Sequence, residues 1–329
     1  MMCGTCGCGD SEKVTVTNLQ SGAAEHLDRV VPLAAAAHSH SHDHDHRHRD
    51  DGDEHRHAHE IGSHSHSHEN MHHHNHSHPR HHHHEHGDHT HRHDDSGHVT
   101  AFGSMHGQTV DLERAILAKN SELAERNRAW FDGREILALN LVSSPGSGKT
   151  SLLERTIREL KDEMLISVIE GDQQTLNDAE RIKDAGEPAV QVNTGTGCHL
   201  EADMIRRGLD QLRPAFGSVV LIENVGNLVC PALFDLGEKA KIVVLSVTEG
   251  EDKPLKYPHM FRASDLMIIS KIDLAPHVDF DIARCEAAAR EVNPDIRSLR
   301  LSVRSGEGLQ DWYEWLRAAR RALALDAAQ

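Results

Sequence analysis

No run of about eighteen apolar residues occurs anywhere in the 329-residue chain, which leaves no conventional membrane-spanning helix. The apolar core of a secretory signal is missing too, because Val30 to Ala37 is short and follows acidic residues. A cytoplasmic location is therefore expected. There the six cysteines meet reducing conditions, which favour metal or thiol chemistry over disulfides. Positive charge is scarce: the formal net charge is −17 with neutral histidines, and no basic patch marks a nucleic-acid surface. The stretch from His38 to His98 has almost no apolar residues, so it cannot bury enough surface to offset the entropy of ordering.

That same stretch holds 26 of the 31 histidines. Neutral imidazoles bind borderline metals, and Ni²⁺ and Cu²⁺ take nitrogen ligands strongly. The alternation of histidine with small or acidic residues, with runs at 72–74 and 81–84, suits a buffer of many weak sites. The chain then divides into a cysteine-rich head over residues 1–10, an unassigned segment over 11–37, the tract over 38–98, and a globular part over 110–329.

Residues 143–150 read Ser-Ser-Pro-Gly-Ser-Gly-Lys-Thr, close to the phosphate-binding pattern G-x-x-x-x-G-K-[ST], with Ser143 in place of the first glycine. The apolar run Ile136–Val142 before it reads as a strand, and 151–163 after it as an amphipathic helix. Gly146 and Gly148 permit the sharp turn, and Ser147 and Ser151 complete the loop and the helix start. Lys149 is expected to reach the β- and γ-phosphates and Thr150 to hold Mg²⁺.

Further apolar runs at 165–169, 189–192, 219–222, 242–247 and 266–269 alternate with helical patterns at 176–185, 200–212, 282–292 and 309–325. A helix over 110–130 precedes them, with Leu112, Ala115, Ile116, Leu123 and Ala124 on one face. This alternation predicts an α/β fold, a P-loop NTPase with a mostly parallel sheet flanked by helices. Nucleotide belongs at the carboxyl ends of its strands.

Ser270-Lys271-Ile272-Asp273 resembles the guanine-reading motif N-K-x-D, with serine for asparagine. Asp273 can accept from both guanine N–H groups, Lys271 can lie along the base, and Ser302 opens a second base-contacting loop over 302–306. Glu170 and Asp172 end one strand and Glu223 ends another, placing carboxylates where Mg²⁺ must sit; Asp172 is favoured over Glu170 because it lies further past the strand end. Gly226 is placed to swing towards the γ-phosphate. No attacking-water base or arginine finger can be named, so hydrolysis is expected to be slow.

Cys3, Cys6 and Cys8 place three thiols within six residues, a soft chelate for Ni²⁺, Zn²⁺ or Cu⁺. A zinc ribbon would need another C-x-x-C, and none follows. Cys198, His199 and Cys230 form a second set, with Cys230 just beyond the Glu223–Gly226 switch. Cys285, among alanines on a helix, reads as an ordinary core residue.

Together these segments resemble the hydrogenase nickel-incorporation GTPases, the HypB family, of the histidine-rich type. The likeness rests on Cys3-x-x-Cys6-Gly-Cys8, residues 143–150, Glu170-Gly-Asp172, Gly197-Cys-His199, Glu223-Asn-Val-Gly-Asn-Leu-Val-Cys-Pro231 and Glu251-Asp-Lys-Pro-Leu-Lys-Tyr-Pro258. The family head ordinarily begins Met-Cys, and this chain begins Met1-Met2-Cys3.

The resemblance implies a SIMIBI-like G domain that hydrolyses GTP to GDP and helps insert Ni²⁺ into the [NiFe]-hydrogenase large subunit. It further implies a GTP-dependent homodimer and a partner metallochaperone, HypA. Carried over by motif, Cys3, Cys6 and Cys8 form a tight nickel site, and Cys198, His199 and Cys230 a Ni²⁺ or Zn²⁺ site near the dimer interface. Lys149, Thr150, Asp172 and Glu223 take the phosphate and Mg²⁺ positions, and Asp273 the guanine. A urease-maturation GTPase would carry Cys-Pro-His at the metal site, and a zinc-chaperone GTPase Cys-x-Cys-Cys; neither stands here. A metal-storage protein is the remaining alternative.

Overall fold

A computed structural model describes residues 14–27, 101–172, 181–182 and 184–326. The cysteine head, the histidine tract and most of the helix expected over 176–185 lie outside these residues.

Among the described residues one sheet carries nine strands: β1 (Val14–Asn18), β2 (Ala24–Leu27), β3 (Leu137–Ser143), β4 (Ile166–Asp172), β5 (Ala189–Asn193), β6 (Val219–Gly226), β7 (Ala240–Ser246), β8 (Leu266–Ser270) and β9 (Arg297–Arg300). Their spatial order is β2-β1-β5-β4-β6-β3-β7-β8-β9, with β3 to β9 mutually parallel and β1 and β2 antiparallel. The helices are α1 (Ala101–Asp132), α2 (Lys149–Leu160), α3 (Ala202–Leu212), the short α4 (Lys253–Lys256) and α5 (Pro258–Arg262), α6 (Ile282–Val292) and α7 (Leu309–Asp326). Every side chain of β3 is buried, as expected of a central parallel strand covered on both faces. One face packs against α2 and α7 through Leu152, Leu153, Ile157, Trp312 and Leu316, and the other against α1 and α3 through Phe131, Ile205 and Leu209. The fold is the expected P-loop architecture.

Several details depart from the sequence reading. The unassigned segment contains a β-hairpin, β1–β2, that adds to the sheet edge through pairs such as Thr15 with Asn193. Its alternating valines, Val14 and Val16, are buried, but five residues of weak alternation do not stand out. Helix α1 starts at Ala101, before residue 110, and Ala115 is exposed on it; the buried face runs through Asn120, Ala124, Asn127 and Phe131. That face is half polar because Asn127 donates to the Ala202 and Leu236 carbonyls. Leu165 precedes β4 and is exposed. Strand β9, Arg-Ser-Leu-Arg, carries no apolar run because it is an edge strand with its arginines exposed.

Candidate nucleotide and metal site

The phosphate loop joins β3 to α2. Gly146 (φ 74°) and Gly148 (φ 100°) adopt backbone angles that side chains disfavour, so the loop needs glycine at both. Ser143, where the pattern has glycine, is wholly buried, and its hydroxyl accepts from Lys149 Nζ at 2.6 Å. The departure from the motif thus provides a polar contact for the loop lysine. The Thr150 hydroxyl donates to Glu223 Oε1 at 2.7 Å.

The segment Ser270–Asp273 is tied to the same loop. Ser270 Oγ donates to the Ser147 carbonyl at 2.7 Å, and Lys271 Nζ to the Gly146 carbonyl at 2.6 Å. Serine at 270 therefore retains a tether to the loop despite replacing asparagine. Lys271 has a left-handed φ of 58°, which turns the chain sharply at the end of β8. Beyond it, Asp273 Oδ1 accepts from Ser302 Oγ at 2.6 Å, and the Ser302 hydroxyl also accepts from the Ser305 amide at 3.1 Å. The structure thus brings together the two segments that the sequence offers as base contacts.

Two adjoining clefts follow. One of about 460 Å³ is lined by Ser151, Lys271, Asp273, Leu274, Ser302 and Arg304 among others. The other, of about 470 Å³, is lined by Lys149, Thr150, Glu170, Asp172, Glu223 and Gly226 among others. Ser147, Gly148, Ser151, Arg181 and Lys271 border both. Asp273 and Ser302 thus line the first cleft, and the loop lysine and three carboxylates line the second.

Those carboxylates sit where two strands run side by side. Glu170 on β4 is the register partner of Glu223 on β6, and both are buried. Asp172, two residues on and on the same face, is half-buried at the rim. Glu223 lies inside β6, which runs on to Gly226, instead of ending it; strand pairing with β3 continues through Gly226 with an irregularity. Gly226 is held against the phosphate loop, where an added Cβ would lie 3.0 Å from Pro145 Cα. Glu170, Asp172 and Glu223 line one cleft with Thr150, and carboxylate and hydroxyl oxygens are the donors that Mg²⁺ takes.

The thiol–imidazole set is also assembled. One ligand atom each from Cys198, His199 and Cys230 lies within 4.8 Å of the others. The Cys198 and Cys230 sulfurs are 2.9 Å apart, and Cys198 Sγ is 3.6 Å from His199 Nδ1. His199 packs against Phe234 with ring centroids 3.9 Å apart and planes tilted by 34°, and its Nε2 lies 3.8 Å from Glu201 Oε1. Neither Phe234 nor Glu201 carried a sequence signal. Cys285 is buried among apolar side chains, and burial pushes its thiol up to about 12, so it is inert.

Residues 137–300 match the family model described as the CobW/HypB/UreG nucleotide-binding domain. The hydrogenase maturation factor HypB of Rhizobium leguminosarum bv. viciae is 58% identical over 223 residues, covering 67% of this chain and 75% of that one. The HypB of Escherichia coli (strain K12) is 57% identical over 220 residues, covering 67% and 76%. Among solved structures, HypB from Helicobacter pylori in complex with nickel superposes with a TM-score of 0.59 at 38% identity, covering 62% of this chain and 96% of that one. No helix among the described residues is long and apolar enough to cross a membrane. The chain belongs to the HypB family of hydrogenase maturation factors, GTP-binding proteins of the P-loop class.

Proposed function

We propose that this chain is a GTP-hydrolysing nickel chaperone that binds and stores Ni²⁺ and assists its insertion into the [NiFe]-hydrogenase large subunit. The observation that carries the reading is contiguity: Glu223, at the phosphate end of the cleft, and Cys230, in the metal cluster, belong to one short stretch of chain. Nickel is the cargo. Two thiolates and an imidazole take Ni²⁺ or Zn²⁺, and a partner ligand can complete the shell across a GTP-dependent homodimer. Cys3, Cys6 and Cys8 form the tight site, the tract buffers metal, and HypA is the partner metallochaperone.

In the hydrolytic cycle Lys149 leaves Ser143 to meet the β- and γ-phosphates, and Asp273, held by Ser302, accepts the two guanine donors. Thr150, Asp172 and Glu223 would hold Mg²⁺, with Glu170 lining the same cleft, and the bound ion would neutralise charge on the phosphate oxygens. Ser147, Gly148 and Ser151 line the same path. Gly226 follows the γ-phosphate and moves the segment leading to Cys230.

Two measurements test this. Lys149→Ala is expected to abolish GTP hydrolysis, and unchanged turnover would remove the phosphate-loop assignment. Hydrogenase activity is expected to disappear in cells lacking the protein and to return with excess nickel. Loss of urease activity alone would transfer the role to urease maturation, and loss of neither would leave storage.

A further inference from the structure

The core of this sheet contains a line of buried polar groups, of which only one, Asn224, borders the nucleotide cleft. Asn140, in the middle of β3, is wholly buried between apolar neighbours, and Asn224, Glu238 and Lys241 are each at least nine-tenths buried. Such groups are costly inside a protein unless their partners are all met. Here they form one continuous line. Asn224 Oδ1 accepts from the Leu200 amide at 3.2 Å, and Asn224 Nδ2 donates to Asn140 Oδ1 at 3.2 Å. Asn140 Nδ2 donates to Glu238 Oε1 at 3.0 Å, and Lys241 Nζ lies 3.5 Å from that same oxygen. Lys241 Nζ then donates to the Pro231 carbonyl at 2.9 Å and the Phe234 carbonyl at 3.2 Å.

The ends of this line carry the meaning. Leu200 follows Cys198 and His199 directly, Pro231 follows Cys230, and Phe234 is the ring packed against His199. Both halves of the metal cluster are therefore held by the one buried chain of hydrogen bonds. Asn224 also lines the phosphate cleft and follows Glu223, the carboxylate that receives the Thr150 hydroxyl. A shift of β6 at Glu223 and Asn224 cannot leave the rest in place without orphaning buried polar groups.

We infer that Asn140, Glu238 and Lys241 are positioning residues that transmit the nucleotide state from Asn224 to the spacing of Cys198, His199 and Cys230. The inference rests on the functional reading above and specifies how its two sites communicate. A closed set of groups with every member satisfied tends to have discrete arrangements, and a ligand favouring one of them shifts the other site by its differential affinity. The three residues touch neither nucleotide nor metal, so substituting them separates transmission from binding.

The test uses the full chain with Cys3, Cys6 and Cys8 changed to serine. The thiolate-to-nickel absorption band then reports the Cys198–Cys230 cluster, because imidazoles of the tract give no such band. Nickel affinity is titrated with Ni²⁺ in the presence of GDP and of a non-hydrolysable GTP analogue, and the ratio of the two constants is the coupling. Asn140→Ala is expected to bring that ratio at least about 3-fold closer to one, with nucleotide affinity and nickel affinity in GDP within about 2-fold of the parent. Should Asn140→Ala not fold, Glu238→Gln combined with Lys241→Met removes the pair without stranding a charge and is expected to give the same collapse. A ratio left unmoved by the folded variants overturns the relay while leaving the functional reading intact. A parent protein whose ratio is already one overturns the nucleotide-linked metal site itself, and the relay with it.

Discussion

In the proposed function guanine is selected by one carboxylate, Asp273, which the Ser302 hydroxyl orients, and this makes Asp273→Asn the sharpest test of the site. The Ser302 hydroxyl donates to Asp273 Oδ1 at 2.6 Å, so an asparagine at 273 is expected to seat its carbonyl oxygen there and present its NH₂ to the base. Guanine then meets a donor where it offers a donor. A hydrogen bond to a charged group contributes about 1.5–3 kcal/mol, and the donor–donor contact adds to the loss of one. Together these give about 3 kcal/mol, or roughly 150-fold weaker GTP binding. Xanthosine triphosphate carries a 2-oxo group in that position, so it regains the bond and should bind the variant more tightly than GTP. Competition titrations of both nucleotides against a fluorescent analogue read this directly. A variant that keeps GTP affinity within about 3-fold of the parent would refute the assignment of Asp273 as the guanine reader and of Ser302 as its orienter.

Gly226→Ala is expected to slow GTP hydrolysis by about 10- to 100-fold, because its Cβ would press to 3.0 Å on Pro145 Cα and displace the phosphate loop; steady-state phosphate release checks it. Glu286 is held below its ordinary value of 4.5, first by the hydrogen bonds from Arg300, and then by Ser298 and the Arg290 charge against opposing desolvation. A depressed folded value means stability that is present above the ordinary carboxylate pKa and lost as pH falls through the folded one. The unfolding free energies of the parent and Glu286→Gln, from urea titrations, should differ by about 1 kcal/mol at neutral pH, given the exposed Arg300, and converge in strong acid. Trp312→Phe removes the 2.9 Å bond from the buried indole N–H to Thr156 Oγ1 and should cost about 1–2 kcal/mol in denaturant unfolding, loosening α7 from α2. Metal bound by the tract should be released as pH falls through about 6.5, the histidine range, measured by equilibrium dialysis at two pH values.

How much was legible in the sequence differs between kinds of feature. Six of the nine strands among the described residues and the nucleotide-binding loop follow from local pattern, because a buried parallel strand needs an unbroken apolar run and a phosphate loop needs glycine at its turns. The hairpin β1–β2 and the edge strand β9 escaped because their stability comes from neighbours in the sheet, and an edge strand need bury little. The chemical identity of the candidate ligands was also written locally, in Cys198-His199, Cys230, Asp273 and the carboxylates of β4 and β6. Only the tertiary structure decided which of them meet. Cys198 and Cys230 approach to 2.9 Å, Asp273 finds Ser302, and Glu170 stands beside Glu223 because parallel crossovers bring distant strand ends to one edge. The same holds most strongly for Asn140. In sequence it is a blemish in an apolar run; in the fold it bonds to Asn224, which lines the candidate nucleotide cleft, and to Glu238, since a buried amide must find its partners wherever packing places them.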